Sequence, residues 1–405
     1  MPTASSSSEV SRLESAGKVI VVLGGGIGGV VAARELRKRL APQHRVILVD
    51  RESHHLFPPS LLWLITGRRA PGQISRPLAR LAGKNIEVVR GEIEQIDPET
   101  RRVRVAETAG SGGDTREIDA DYLIISLGAE LDEEAIPGLA EAGHSIYSLA
   151  GAESLRDSLT TLKSGRILIL TATPSYKCPA APYEAAMLVN DEFRKRGMSD
   201  AIDVDIYAAE PGPLGVAGPD VSDGVRNMVL QAGIGYFPDH QVVAVDADQQ
   251  KVSFANGSTA DFDILAYIPP HRAPDVVRAA GMLEDTGWVA VDRETLQTGF
   301  PGVFAIGDIT GIPLLLGKPL PKAGVFAERQ AAVVAHNIAA EIAGDSDFKA
   351  FNGHGECFIE VGGHRAGFGK GNFYAEPTPQ ISLHKVGLRW HLGKLLFERN
   401  WLRRF

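Results

Sequence analysis

At 405 residues, with 44% hydrophobic and 23% charged residues, the chain has the composition of an ordinary globular protein with room for two or three domains. Its formal net charge of -8 excludes a general nucleic-acid binder, which needs a basic surface to neutralise phosphates. No apolar run approaches the ~20 residues needed to span a bilayer, and two cysteines, Cys178 and Cys357, are too few for a disulfide scaffold.

The Ser-rich start, residues 1–17, has no apolar signal core and reads as a disordered tail on a cytoplasmic protein. Val19 to Leu23 is then a buried strand, followed by a glycine turn and an Ala-rich helical pattern to Leu36. Gly24, Gly26 and Gly29 fit G-x-G-x-x-G, and Asp50 closes the next strand. Gly24 permits the tight turn, Gly26 lets backbone approach a pyrophosphate, and Gly29 lets helix and strand pack closely. The helix N-terminus attracts phosphates, and an acidic group at the tip of the second strand accepts hydrogen bonds from a ribose. With strand, helix and Asp50 in place, the stretch predicts a dinucleotide site.

Residues 51–60 hold two prolines and read as a loop, with neither helix nor central strand. Strands are expected between Ile86 and Val105, around a turn at Asp97-Pro98. Asp119 to Ala129 reads as a buried strand that presents Gly128 near the cofactor. A second strand–loop–helix–strand unit follows: Arg166 to Thr173, then Pro182 to Arg196, then Val204 to Glu210. Its turn is Pro174-Ser-Tyr-Lys-Cys-Pro-Ala-Ala181, without the glycines that let backbone reach a pyrophosphate. Asp261 to Ile268 and Thr298 to Ile309 are further buried strands, the latter with Gly307-Asp308 at its tip, and a helix is expected to start near Lys322.

Three segments, the glycine turn with Asp50, Ser126-Leu-Gly128, and Pro301-Gly-Val-Phe-Ala-Ile-Gly-Asp308, together resemble the FAD motifs of flavoprotein disulfide reductases with two dinucleotide domains. The resemblance covers roughly residues 18 to 345. It implies an α/β fold of two Rossmann-like, glutathione-reductase-like FAD/NAD(P)-binding domains plus a small C-terminal region. The FAD domain would be discontinuous, 18–150 with 291–345; residues 151–290 would form the second domain, carrying Cys178, and 346–405 a region carrying Cys357. It further implies that Gly24, Gly26, Ile27, Gly28 and Gly29 hold the FAD pyrophosphate and Asp50 the adenosine ribose. Ile93, Leu127 and Gly128 would also touch FAD. Gly307 and Asp308 would bind its ribityl–phosphate region, and Lys322, Ala323 and Gly324 would face the flavin ring.

The glutathione-type Cys-x4-Cys pair is absent from the first unit. Instead Tyr176-Lys-Cys-Pro-Ala-Ala-Pro-Tyr-Glu184 and Gly353-His-Gly-Glu-Cys-Phe-Ile-Glu360 are similar to segments of sulfide:quinone oxidoreductases and flavocytochrome c sulfide dehydrogenases. In those families two distant cysteines meet over the flavin and relay sulfide sulfur and electrons. The resemblance implies a redox role for Cys178 and Cys357, with Glu184 as proton acceptor, sulfide or a related sulfur species as donor, and a membrane quinone as acceptor. Lys177 and the following helix N-terminus are expected to favour the Cys178 thiolate. The third cysteine of many relatives is missing, which puts the route of sulfur release in doubt. Flavocytochromes attach FAD through a cysteine in the loop after the second strand; here that loop is His55-Leu-Phe-Pro-Pro-Ser60, so FAD should be non-covalent. The resemblance is also compatible with a homo-oligomer. Two alternatives stay open: a type II NADH:quinone oxidoreductase, and a flavoprotein electron carrier acting with a cytochrome.

His384 to Phe405 carries six Lys/Arg against one Glu and is rich in Trp and Phe, a composition suited to a peripheral segment on an anionic membrane surface. On an ideal helix, however, Arg399 and Arg403 fall beside Leu392, Leu395, Leu396 and Leu402, so a helix docked on the body is an equal expectation. His144, His240, His354 and His364 are weaker candidates for proton transfer at the cysteines, His354 favoured as three residues from Cys357. No histidine–carboxylate spacing suggests a metal site.

Overall fold

The computed structural model describes residues 17–108 and 115–405; residues 1–16, expected to form a tail, lie outside the described residues. The chain opens with β1 (Val19–Leu23), α1 (Ile27–Arg39) and β2 (Arg45–Asp50), all built on residues whose inward faces are fully buried. β1 and β2 pair in parallel, Val21 opposite Ile47. β3 (Glu87–Asp97), β4 (Arg102–Glu107) and β5 (Thr115–Asp119) form an antiparallel extension, while β6 (Tyr122–Ile125) returns to lie parallel to β1 on its other side.

The second unit begins with β7 (Gly165–Thr171), α2 (Ala181–Lys195) and β8 (Ile202–Ala208). α3 (Pro219–Gln231) and β9 (Gly235–Phe237) follow, and β10 (Ile264–Ile268) closes the layer. β10, β7, β8 and β9 are parallel neighbours, with the two-residue strand His144–Ser145 beyond β10. β11 (Val303–Ala305) then crosses back and pairs with β6, giving a seven-stranded sheet in the order β11-β6-β1-β2-β3-β4-β5. α4 (Gly324–Ala343) packs along α1.

The chain ends in an antiparallel sheet of β12 (His354–Gly362), β13 (Arg365–Asn372) and β14 (Gln380–Gly387), followed by α5 (Leu388–Leu402). β12 packs against α2 of the second unit, while Trp401 and Leu402 of α5 join the apolar core around β1 and α1. The terminal segment therefore touches both layers.

Two details differ from the expectation. The 51–60 loop contains a three-residue edge strand, His54–Leu56, and Pro58–Ser60 forms one 3-10 turn. Proline is tolerated there because the first-turn N–H has no helical partner in any case. The helix expected from Lys322 begins at Gly324. Among the described residues, no helix is long and apolar enough to cross a membrane.

Candidate active site

One cavity of about 1960 Å³ lies at the carboxyl ends of the parallel strands of both sheets, where ligands of open α/β folds bind. That volume exceeds the roughly 300–1,000 Å³ of a small-ligand pocket and suits a large cofactor together with substrates. The glycine turn forms one wall. Gly24 is left-handed (φ +98), and a Cβ there would lie 2.4 Å from the Ser126 carbonyl oxygen. Nothing lies within 4 Å of a Cβ built on Gly26, which faces open space, whereas one on Gly29 would meet the Gly24 carbonyl at 1.8 Å. So Gly24 makes the turn, Gly26 leaves room for a pyrophosphate, and Gly29 lets α1 sit against β1.

Ile27, Gly28 and Asp50 line the same wall, Ile93, Leu127 and Gly128 a second, and Gly307, Asp308, Lys322, Ala323 and Gly324 a third. Gly29 lies behind the lining. The Asp50 carboxylate accepts from the Gly25 and Glu52 backbone N–H groups; burial raises its pKa above the usual carboxylate range, and those amides oppose the rise. Lys322 Nζ donates to the Asp308 and Thr310 carbonyls at 2.6 and 3.0 Å and sits 3.4 Å from the Trp288 ring centroid. Burial pushes Lys322 down to about 8. A cradle with left-handed glycines, an open face at Gly26 and a ribose-ready carboxylate fits FAD.

Cys178 and Cys357, 179 positions apart in sequence, are both free thiols on this cavity. The charge of Cys178 weighs on Cys357, so the two sulfurs share one microenvironment. Burial, then the Glu184 carboxylate, pushes the Cys178 thiol up to about 12, and burial with Cys178 raises Cys357 well above its ordinary value. The cation that works against this is Lys394. Lys177, expected from the sequence to favour the thiolate, aims its ammonium at the Ala129 carbonyl, 3.3 Å away; burial lowers it, and the Asp308 charge and then the Cys178 charge oppose that fall.

Glu184 is buried on α2 and accepts from Lys394 Nζ at 2.7 Å and from the Glu360 backbone N–H at 2.8 Å. Burial raises its carboxyl above the ordinary range, with Lys394 and that amide opposing. Burial disfavours charge on Lys394, but Glu184 and Glu360 keep it protonated. Glu360, 0% exposed, in turn pairs with His391 Nδ1 at 2.9 Å. One turn further along α5, Glu398 accepts from Arg69 and from Ser60 Oγ. Finally the Trp401 indole donates to His55 Nε2 at 2.9 Å, so His55 Nδ1 carries the proton and donates to the Gly25 carbonyl in the glycine turn. Desolvation lowers His55 to about 4.

Sequence reasoning missed this polar seam of α5, His391, Lys394, Glu398 and Trp401. Its signal was there: spacing of three, four and three residues puts them on one helical face, yet charged residues on a face are normally read as solvated. Conversely, none of His144, His240, His354 and His364 lines the cavity. His144 bonds Ser154 and Ser158, His240 sits among Tyr207, Phe237 and Phe254, His354 is exposed, and His364 stacks edge-on to His391.

Two βαβ units, a dinucleotide cradle and two thiols on one cavity are the features of a flavin oxidoreductase, and the chain belongs to the pyridine nucleotide-disulphide oxidoreductase family, whose pattern matches residues 18–335. Within it the chain falls among the FAD-dependent sulfide:quinone oxidoreductases. It is 30% identical over 402 residues to the sulfide-quinone reductase of Aquifex aeolicus, covering 95% of this chain and 90% of the relative. The mitochondrial sulfide:quinone oxidoreductase of Mus musculus is 26% identical over 373 residues, 88% of this chain and 79% of the relative. The crystal structure of the Aquifex aeolicus sulfide:quinone oxidoreductase superposes with a TM-score of 0.84 at 28% identity, covering 96% and 91% of the two chains.

Proposed function

We propose that this chain oxidises sulfide, or a closely related sulfur species, at Cys178 and Cys357 and delivers the electrons to a quinone. The observation that carries the reading is two distant free thiols on one cavity with the FAD-binding glycines. Bound FAD supplies a two-electron acceptor that can later release electrons singly or in pairs. In the net change sulfide loses two electrons and becomes zero-valent sulfur on a cysteine sulfur, while the quinone gains two electrons and two protons. Glu184 takes the proton released on the sulfide side, because a carboxylate whose pKa is raised by burial beside both thiols is suited to a base near neutral pH. Lys394 holds Glu184 in place and keeps the buried charge balanced. FAD is held non-covalently, since the loop following β2 has no cysteine.

The quinone enters where Phe358, Phe373, Phe397, Ile381 and Leu383 line the cavity beside Lys394. α5 covers that end. Its outer face carries Leu388, Leu392 and Leu396, 55%, 53% and 57% exposed, flanked by exposed Arg389, Arg399 and Arg403. Exposed leucines at every fourth position among arginines suit peripheral contact with an anionic bilayer, the source of a membrane quinone.

The test is anaerobic titration of the FAD-loaded protein. Sulfide bleaches the flavin, an added quinone restores it, and NADH leaves it oxidised. Bleaching by NADH with none by sulfide would sink the reading and favour a type II NADH dehydrogenase. Co-purification with a haem protein, without quinone reduction, would favour an electron carrier.

A further inference from the structure

Cys178 is a non-glycine residue in the left-handed region (φ +51). Such a conformation is strained for a residue with a Cβ and persists only where surrounding structure over-determines it. Part of the restraint is on its backbone. The Cys178 N–H donates to the Lys322 carbonyl at 2.6 Å, and the Tyr147 hydroxyl donates to the Lys177 and Cys178 carbonyls. The rest comes from two residues upstream. The Tyr176 hydroxyl donates to Glu210 Oε1, which also accepts from Tyr183 at 2.7 Å, while Glu210 Oε2 accepts from Thr171 Oγ1 at 2.7 Å. All four side chains are buried, and Thr171 and Tyr183 belong to β7 and α2. A buried carboxylate tied to strand and helix by neutral hydroxyls is a fixed post, and Tyr176 is the one loop residue fastened to it. Glu210 lies two residues beyond β8, at the place where a dinucleotide unit presents the acidic group for a ribose.

We propose that Glu210 is the positioning residue for the reactive thiol: by fastening Tyr176 it holds the 174–181 loop so that Cys178 stays on the cavity wall it shares with Cys357. This rests on the reading of Cys178 as the sulfur-reactive group. The carboxylate of the second unit thus serves a loop rather than a ribose.

The experiment compares Tyr176→Phe with Tyr183→Phe in the FAD-loaded enzyme. Both remove one hydroxyl from the same carboxylate at constant volume, but only Tyr176 lies in the thiol loop. Iodoacetamide labelling of Cys178, followed by mass spectrometry with Cys357 as internal reference, is expected to run about tenfold faster in Tyr176→Phe, because the released thiol gains solvent, the loss being one hydrogen bond to a charged group. Flavin reduction by sulfide is expected to run about tenfold slower, since the thiol has left its position. Tyr183→Phe, which leaves Glu210 tied to Thr171 and Tyr176, changes each rate by a smaller factor than Tyr176→Phe. Opposite signs in the two readouts separate loss of positioning from general loosening or inactivation. Glu210→Ala reproduces Tyr176→Phe if it folds, and if it does not the tyrosine pair decides alone. Wild-type labelling in Tyr176→Phe, or an equal change in Tyr183→Phe, overturns the proposal. If sulfide fails to bleach wild-type flavin, the functional reading falls, while the labelling rates still decide the positioning role.

Discussion

The two βαβ units differ at one turn and agree at one carboxylate. In each, the acidic residue at the end of the second strand reaches back to the turn after the first: Asp50 accepts from the Gly25 amide, and Glu210 from the Tyr176 hydroxyl. In the first unit the turn is glycine, its backbone stands open at Gly26, and a phosphate can sit against bare amides. In the second unit, side chains and prolines occupy the turn, and the same location holds a thiol. One scaffold therefore yields a glycine cradle or a cavity-lining thiol, depending on whether Cβ atoms are present in eight residues of loop.

Removing the thiol is the harshest way to break this contrast. Cys178→Ala should lower sulfide-dependent quinone reduction by about three orders of magnitude or more, the scale of deleting a nucleophile, with FAD content unchanged. An enzyme that kept normal turnover would reduce the second unit to a passive support. Glu184→Gln comes next, with a fall of about a hundredfold, as for loss of a general base. Its pH signature is specific. Because the folded carboxyl lies above the ordinary carboxylate range, activity should rise with pH through that raised value in wild type, and this limb should vanish in the variant.

On the first unit, Gly29→Ala drives a methyl into the Gly24 carbonyl, and FAD binding should weaken about tenfold or more, read as flavin lost on gel filtration. Acid precipitation of wild type should release all the yellow cofactor; retention on the protein would show a covalent bond. The mildest test concerns the clamp from α5. The folded value of His55, about 4, lies below its ordinary 6.5, so the folded state binds fewer protons than the unfolded chain. The resulting stability is complete above pH 6.5 and is lost as pH falls toward 4, by about 3 kcal/mol at most. His55→Gln should flatten that decline in thermal melts; Trp401→Phe, losing one buried hydrogen bond, should cost about 1 kcal/mol at neutral pH.

Local chemistry explains what was legible. A glycine turn must sit between its own strand and helix, so Gly24, Gly26, Gly29 and Asp50 could be assigned from a short stretch, and Gly128 and Gly307-Asp308 follow as strand tips. The cysteines were recognised from their flanking residues, but nothing in the spacing of 178 and 357 brings them to one cavity; β12 packing on α2 does. The α5 seam was misjudged because periodicity reports which residues share a face and not which face is buried. Leu388, Leu392 and Leu396 point out, while His391, Lys394 and Glu398 point in and meet Glu360, Glu184 and Arg69.

The glycine turn, the lack of glycines in the 174–181 turn and the identity of the two thiols could be read from the sequence alone, because each depends on backbone freedom or side-chain chemistry within a few residues. The folded chain adds Lys394 as a second cation facing the thiols, in addition to Lys177, and gives Glu210 its hydroxyl partners. Those contacts depend on which buried groups meet across the fold, where the low dielectric of the interior strengthens each charge.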